Sequence, residues 1–119
     1  MPETTPEYAR GVLKNLLLPA LEQLSWDGAR QIAWLDEHRI SEDELALDFD
    51  HAFRCRWIVR EHGWISTKAE ELLQQIDVVF TDMSATPGDR WSDEAILHGP
   101  EWQAIRDLAD RARQAMANT

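Results

Sequence analysis

The sequence predicts an all-α protein, a compact single-domain bundle of about five helices covering residues 1–119. Three observations predict it. Apolar residues recur at three- and four-residue spacing along nearly the whole chain. Residues that start helices, Ser, Thr and Pro, stand just ahead of those stretches. No run alternates polar and apolar residues between turn signals as a strand does, Val78-Val79-Phe80 being better explained inside a helix, and no long internal repeat is visible. A chain of 119 residues buries about two thirds of its unfolded surface around one core, so one domain suffices.

Thr5-Pro6-Glu7 reads as a cap, a first-turn proline and a first-turn acid, and Tyr8, Val12, Leu13, Leu16 and Leu17 follow at helical intervals. This predicts a first helix over 6–18, broken or kinked at Pro19, which lacks a backbone donor and crowds the preceding turn. A short segment, 19–24, comes next. Ser25 is the expected N-cap of a helix over 26–38, with Trp26, Ala29, Ile32, Ala33 and Leu35 on its apolar side. Ser41-Glu42-Asp43-Glu44 has the spacing of a capping box, opening a helix over 42–62 that carries Leu45, Phe49, Ala52, Phe53 and Trp57 and ends at Gly63. Ser66 caps a helix over 67–83 whose stripe is Ala69, Leu72, Leu73, Ile76, Val79, Phe80 and Met83. Thr86-Pro87-Gly88-Asp89 is the strongest turn signal. Ser92 then caps a short turn ending at Gly99, and Pro100 starts the last helix, 100–116, with Trp102, Ile105, Leu108, Ala109, Ala112 and Met116 facing one way.

Composition narrows the function. With 44% apolar and 29% charged residues, 5 Gly and 5 Pro, the chain is globular rather than disordered. Its longest apolar stretch, Leu16 to Leu21 with Pro19 inside, falls far short of the ~20 residues of a membrane helix, and no signal-peptide pattern opens it; a soluble cytoplasmic protein is expected. Cys55, the single cysteine, excludes an internal disulfide and a four-cysteine zinc site. The net charge of −10 opposes binding to nucleic acid or an anionic membrane and favours a basic partner. The charge is blocked: residues 36–50 and 70–94 each carry −6, whereas 51–69 carry +3.

Few residues point to catalysis. There is no Gly-rich phosphate loop, no Gly-x-Ser-x-Gly and no His-Glu-x-x-His, so no cofactor and no catalytic residue is assigned. Glu44, Asp48 and His51 form a row one helical turn apart, as metal ligands can, but a di-iron bundle needs Glu-x-x-His on two helices and this chain offers one Asp-x-x-His; a solvated face explains the row as well. Glu94 and His98 read as a surface pair. Cys55 lies between Arg54 and Arg56, which favours a thiolate, yet neighbours in a helix do not face each other and a small buried thiol is the better account.

Two features remain. Of the six tryptophans, Trp57 and Trp102 fall on apolar stripes, Trp64 follows a C-cap and Trp26 begins a helix, so these four read as packing. Trp34 leaves the face of its helix and Trp91 follows a polar turn, which makes them candidate interface anchors. The block 36–50 holds Asp36, Glu37, Glu42, Asp43, Glu44, Asp48 and Asp50 against Arg39. First-turn acids suit the helix dipole, but Asp50 alone has a base four residues on, Arg54, and Glu44 and Asp48 repel at that spacing. A solubility feature is the plain reading. The sharper one is a partner-binding surface of Trp34, Asp36, Glu37, Glu42, Asp43, Glu44, Asp48 and Trp91.

Asp43-Glu44-Leu45-Ala46-Leu47-Asp48-Phe49-Asp50, Gly63-Trp64-Ile65-Ser66 and Trp102-Gln103-Ala104-Ile105-Arg106 together resemble small acidic helical proteins of bacteria, some of which look like immunity proteins of polymorphic toxin systems. The resemblance spans about residues 25–113 and carries over no catalytic residue. It implies a protein that neutralises a cognate toxin, and the acidic blocks match if that toxin is a cationic nuclease. The expectation is therefore a non-enzymatic protein-binding module. The alternatives are a metal-binding helical protein or enzyme using Asp, Glu and His, which would retain stoichiometric metal, and a scaffold subunit, which would elute as an oligomer.

Overall fold

A computed structural model describes residues 5–86 and 88–117, with the side chain of Ala117 excepted. Thr5 caps α1 (Pro6–Val12) by accepting from the Tyr8 amide at 3.1 Å. Of the break or kink expected at Pro19, no break occurs. It passes through a π-helical turn (Leu13–Leu17), in which the Leu18 amide donates to the Leu13 carbonyl five residues back, directly into α2 (Leu18–Ser25). The wider turn gives the proline ring room, and Pro19 falls in the first turn of α2, where a missing amide is tolerated.

The next start is also displaced. The cap of α3 (Gly28–His38) is Asp27, whose Oδ1 accepts from the Arg30 amide at 2.8 Å, while the Ser25 hydroxyl turns back to donate to the Glu22 carbonyl. Trp26 is thus in the joint between helices, not inside one. At Gly28 a Cβ would stand 3.0 Å from the Ile96 carbonyl oxygen of α7 (Asp93–His98), so α3 and α7 approach closely enough that a side chain would require the backbone there to give by a few tenths of an ångström. Arg39 ends α3 in the left-handed conformation at φ 54°, with the Ile40 amide reaching the Leu35 carbonyl and the Arg39 amide the Asp36 carbonyl, a Schellman end made without glycine.

Two further expectations are corrected at α4. No capping box forms: Ser41 Oγ donates to the Asp43 carboxylate, and α4 (Asp43–Arg54) starts without a side-chain cap. The predicted long helix is also two helices, parted at Cys55 from α5 (Arg56–Glu61). Arg56 stands just past the break: its Nη1 donates to the Phe53 carbonyl at 2.9 Å, its guanidinium lies 3.7 Å from the centre of the Phe53 ring, and its Nε meets Glu70 at 2.8 Å. The change of phase turns Ile58 and Val59 inward and leaves Trp57 36% exposed, so Trp57 is not the core residue its spacing promised. Gly63, at φ 73°, closes α5 as predicted, with Trp64 bonded back to Val59.

Ser66 caps α6 (Thr67–Ala85) through the Ala69 amide, and Ser92 caps α7 through the Ala95 amide, both at 3.1 Å. Between them Pro87, in the predicted turn, lies outside the described residues. The last helix, α8 (Pro100–Ala117), packs along α6 and α2 and forms the centre of the molecule. Leu72, Leu73, Ile76 and Met83 of α6 meet Trp102, Ile105, Ala109 and Ala112 of α8 in one core, to which α4 adds Leu45, Phe49 and Ala52. Among the described residues there is no strand, and no helix is long and apolar enough to cross a membrane.

The core contains a polar centre that the sequence concealed. Arg106, buried on α8, donates from Nη1 to Gln31 Oε1 at 2.9 Å and from Nη2 to the Ile96 carbonyl at 2.8 Å. Gln31, fully buried, donates in turn to the carbonyls of Gln23 and Leu24 at the end of α2. Burial pushes the Arg106 guanidinium below its ordinary range, an effect opposed by Asp107 and Asp27. The network ties the α2–α3 joint, α7 and α8 to one another.

Candidate functional site

The acids of residues 36–50 sit where α3 ends and α4 begins, and the bases that follow them in sequence are committed elsewhere. Arg56 and Arg60 both bond Glu70, at 2.8 and 2.9 Å, and exposed Arg54 pairs with Asp50 at 2.9 Å, the pair that the spacing predicted. Among the described residues none of Asp36, Glu37, Glu42, Asp43, Glu44 and Asp48 makes an ion pair within 4.0 Å. The negative block is therefore not neutralised by folding.

Folding also brings part of the second acidic block to it. Glu42, ahead of α4, lies against Asp93, the first residue of α7. A bond from its own backbone amide favours charged Glu42, but burial together with the Asp93 and Asp43 carboxylates outweighs that bond and raises its carboxyl above the ordinary 4.5. Two acids from distant parts of the chain thus act on each other, and among the described residues neither makes an ion pair.

Beside these carboxylates is a depression of about 530 Å³ lined by Glu42, Asp43, Ala46, Leu47 and Trp91. Leu47 is 51% exposed, although it belongs to an otherwise amphipathic helix. Trp91 is half-buried, its inner side stacked on Phe80 at 6.1 Å and set edge-on to Trp102 at 5.8 Å. It is a rigid aromatic wall backed by the core. The apolar floor is bordered by the two carboxylates and by Ser41 and Ser84.

The other predicted residues are distributed around this centre. Asp36 and Glu37 are exposed on the last turns of α3. Trp34 is half-buried, 6.5 Å from Trp26 and 4.7 Å from the His38 ring, whose Nδ1 is 2.8 Å from the Trp34 carbonyl. Glu44 lies one turn before Asp48 on the same flank of α4, away from the depression, and Asp48 lines a separate groove with Trp26 and His51. Burial raises the Asp48 carboxyl, and His51 counteracts this. Predicted as one surface, the eight residues fall into the Glu42–Asp43–Trp91 depression, the flank of α4 that carries Glu44 and Asp48, and the end of α3 with Trp34, Asp36 and Glu37.

Trp26 is the residue that the sequence misplaced. Its ring carries the Arg30 guanidinium 4.1 Å above its centre, and its Nε1–H is shielded from solvent and has no acceptor among the described residues. An unpaired buried donor costs about 1–3 kcal/mol. No feature of the sequence identifies it, because the joint that exposes Trp26 to the groove depends on Asp27 rather than Ser25 being the cap. Elsewhere, Cys55 is half-buried at the α4–α5 break, and among the described residues no three His, Cys, Asp or Glu side chains come together as metal ligands. Comparison with protein-family models, with curated proteins and with solved structures finds no match for this chain.

Proposed function

We propose that this chain is a non-enzymatic binding module of the bacterial cytoplasm, an immunity-type protein that captures and neutralises a basic toxin through the acidic face around α4. The observation that supports this most directly is the meeting of Glu42 with Asp93 beside exposed Leu47 and half-buried Trp91. A solubility surface needs dispersed charge. Here like charges are held together against their own repulsion, next to apolar area that water does not favour. A lysine- or arginine-rich partner would neutralise the carboxylates and cover the apolar floor.

Capture can neutralise without chemistry. A nuclease relies on cationic side chains to hold phosphates, and an acidic protein seated on those side chains excludes the nucleic acid by charge and by volume. The test is to express the gene adjoining this one and mix the two products. The proposal expects a one-to-one complex that elutes as a single species and suppresses the neighbour's toxicity. A neighbour that is neither toxic nor bound by this chain would contradict it.

A further inference from the structure

A groove of about 350 Å³ lies between the π-helical turn with α2 and the flank of α4 that carries Asp48 and His51. Leu16, Pro19 and Ala20 give it an apolar wall. Trp26 adds ring surface only, because its Nε1–H is sealed from solvent. The polar lining is the side-chain amides of Asn15 and Gln23, the carboxylates of Glu22 and Asp48, and His51. Four of these five residues are exposed. Gln23 is only 8% exposed, and the bonds it receives, from the Gln31 side chain and the Trp26 amide, go to its backbone carbonyl. Its carboxamide has no hydrogen-bond partner among the described residues, yet neither Oε1 nor Nε2 is sealed as Trp26 Nε1 is. The groove is where a ligand reaches them.

A carboxamide presents an acceptor and a donor side by side. One trans peptide unit cannot meet both, since its carbonyl and its N–H point to opposite sides. The edge of adenine can: its N6 amino group donates to a glutamine oxygen while the adjacent ring nitrogen N7 accepts from the glutamine nitrogen. The second N6–H suits surroundings rich in acceptors, the Asn15 amide oxygen and the Glu22 and Asp48 carboxylates, and the flat ring suits the apolar wall. The same carboxylates disfavour a phosphate. We propose that the groove binds the adenine base of an uncharged nucleoside, with the Gln23 carboxamide paired to its N6–N7 edge. This site is separate from the acidic depression and needs no protein partner.

Adenosine is titrated into the ¹⁵N-labelled protein while the side-chain NH₂ signals of Gln23 are followed. The Trp102 indole serves as reference, because its Nε1 already donates to the Arg90 carbonyl at 2.8 Å. The Gln23 signals are expected to shift saturably at millimolar adenosine, with the Trp102 signal fixed. N6,N6-dimethyladenosine keeps the ring without the donor, and propionamide keeps the paired edge without the ring; neither should move the Gln23 signals at the same concentration. AMP should bind more weakly than adenosine at low salt, the difference closing as salt rises. Gln23→Met removes the amide at similar length and leaves the backbone bonds to Gln31 and Trp26 in place, so the fold is kept. Its affinity, read from the Asn15 side-chain signals, should fall about tenfold or more. Unmoved Gln23 signals, an equal response to the dimethylated nucleoside or to propionamide, tighter binding of AMP, or undiminished affinity in folded Gln23→Met overturns the assignment. The nucleoside controls decide the matter without the variant should it fold poorly.

Discussion

Arg106 and Gln31 lie 75 residues apart in sequence and 2.9 Å apart in the core, joined by a hydrogen bond from guanidinium to amide oxygen. No carboxylate pairs with Arg106 among the described residues, so Gln31 and the Ile96 carbonyl carry its charge. Gln31→Leu should therefore destabilise by about 2–4 kcal/mol, because it removes a partner of a buried cation and the side-chain donor to the Leu24 carbonyl. Urea unfolding measures it. The double variant with Arg106→Met should recover part of the loss, as removing both polar partners is milder than removing one.

Leu73 and Ile76 are fully buried on the α6 stripe that faces α8. Truncation of either to alanine should cost about 2–5 kcal/mol through the cavity left behind. A loss below about 0.5 kcal/mol in denaturant unfolding would mean that α6 presents another face to the core.

Arg39 holds φ 54° at the end of α3 without being glycine. Left-handed backbone costs an L-residue about 1–2 kcal/mol, partly offset by the greater freedom of glycine in the unfolded chain. Arg39→Gly should raise stability by about 0.5–1 kcal/mol in thermal unfolding, whereas Arg39→Ala should leave it near the starting value.

These three sites show what was legible in the sequence. Thr5, Ser66, Ser92 and Gly63 act locally, through bonds to residues three or four positions away, and their caps form as read. The stripe of α6 was equally plain. The break at Cys55 was not, and the contact that Arg56 makes beside it, with Glu70, spans fourteen residues. Arg106 and Gln31 read as surface residues by type. Their positions gave a signal, though: Gln31 shares the buried face of Gly28 and Leu35, and Arg106 lies between Trp102 and Ala109 on the inward stripe. The candidate site was visible as charge, but Asp93, its nearest acidic neighbour across the fold, required the tertiary structure.

Glu42 gives the pH prediction. Its carboxyl is raised in the folded state, so folding favours the protonated form; that stabilisation is full below the ordinary 4.5 and lost as pH rises through the raised value. At neutral pH the charge works against the fold. Glu42→Gln should accordingly raise the melting temperature at neutral pH, with the gain vanishing under acidic conditions below 4.5. Equal gains at both pH values would show that Asp93 and burial do not act on Glu42.

The account rests on the acidic face meeting a basic partner, and association kinetics test it most directly. The product of the adjoining gene is immobilised, and wild type is compared with the triple variant Glu37→Gln, Glu42→Gln and Asp43→Asn at low and high salt. Rim charges act on association, so the variant should bind more slowly at low salt without loss of thermal stability. The difference should close near ~1 M salt, where the Debye length is about 3 Å. Trp34→Ala should instead speed dissociation, by about 2 kcal/mol or more and independently of salt. Equal association rates for wild type and the triple variant at low salt would contradict the acidic-face mechanism and reduce the block to a solubility feature.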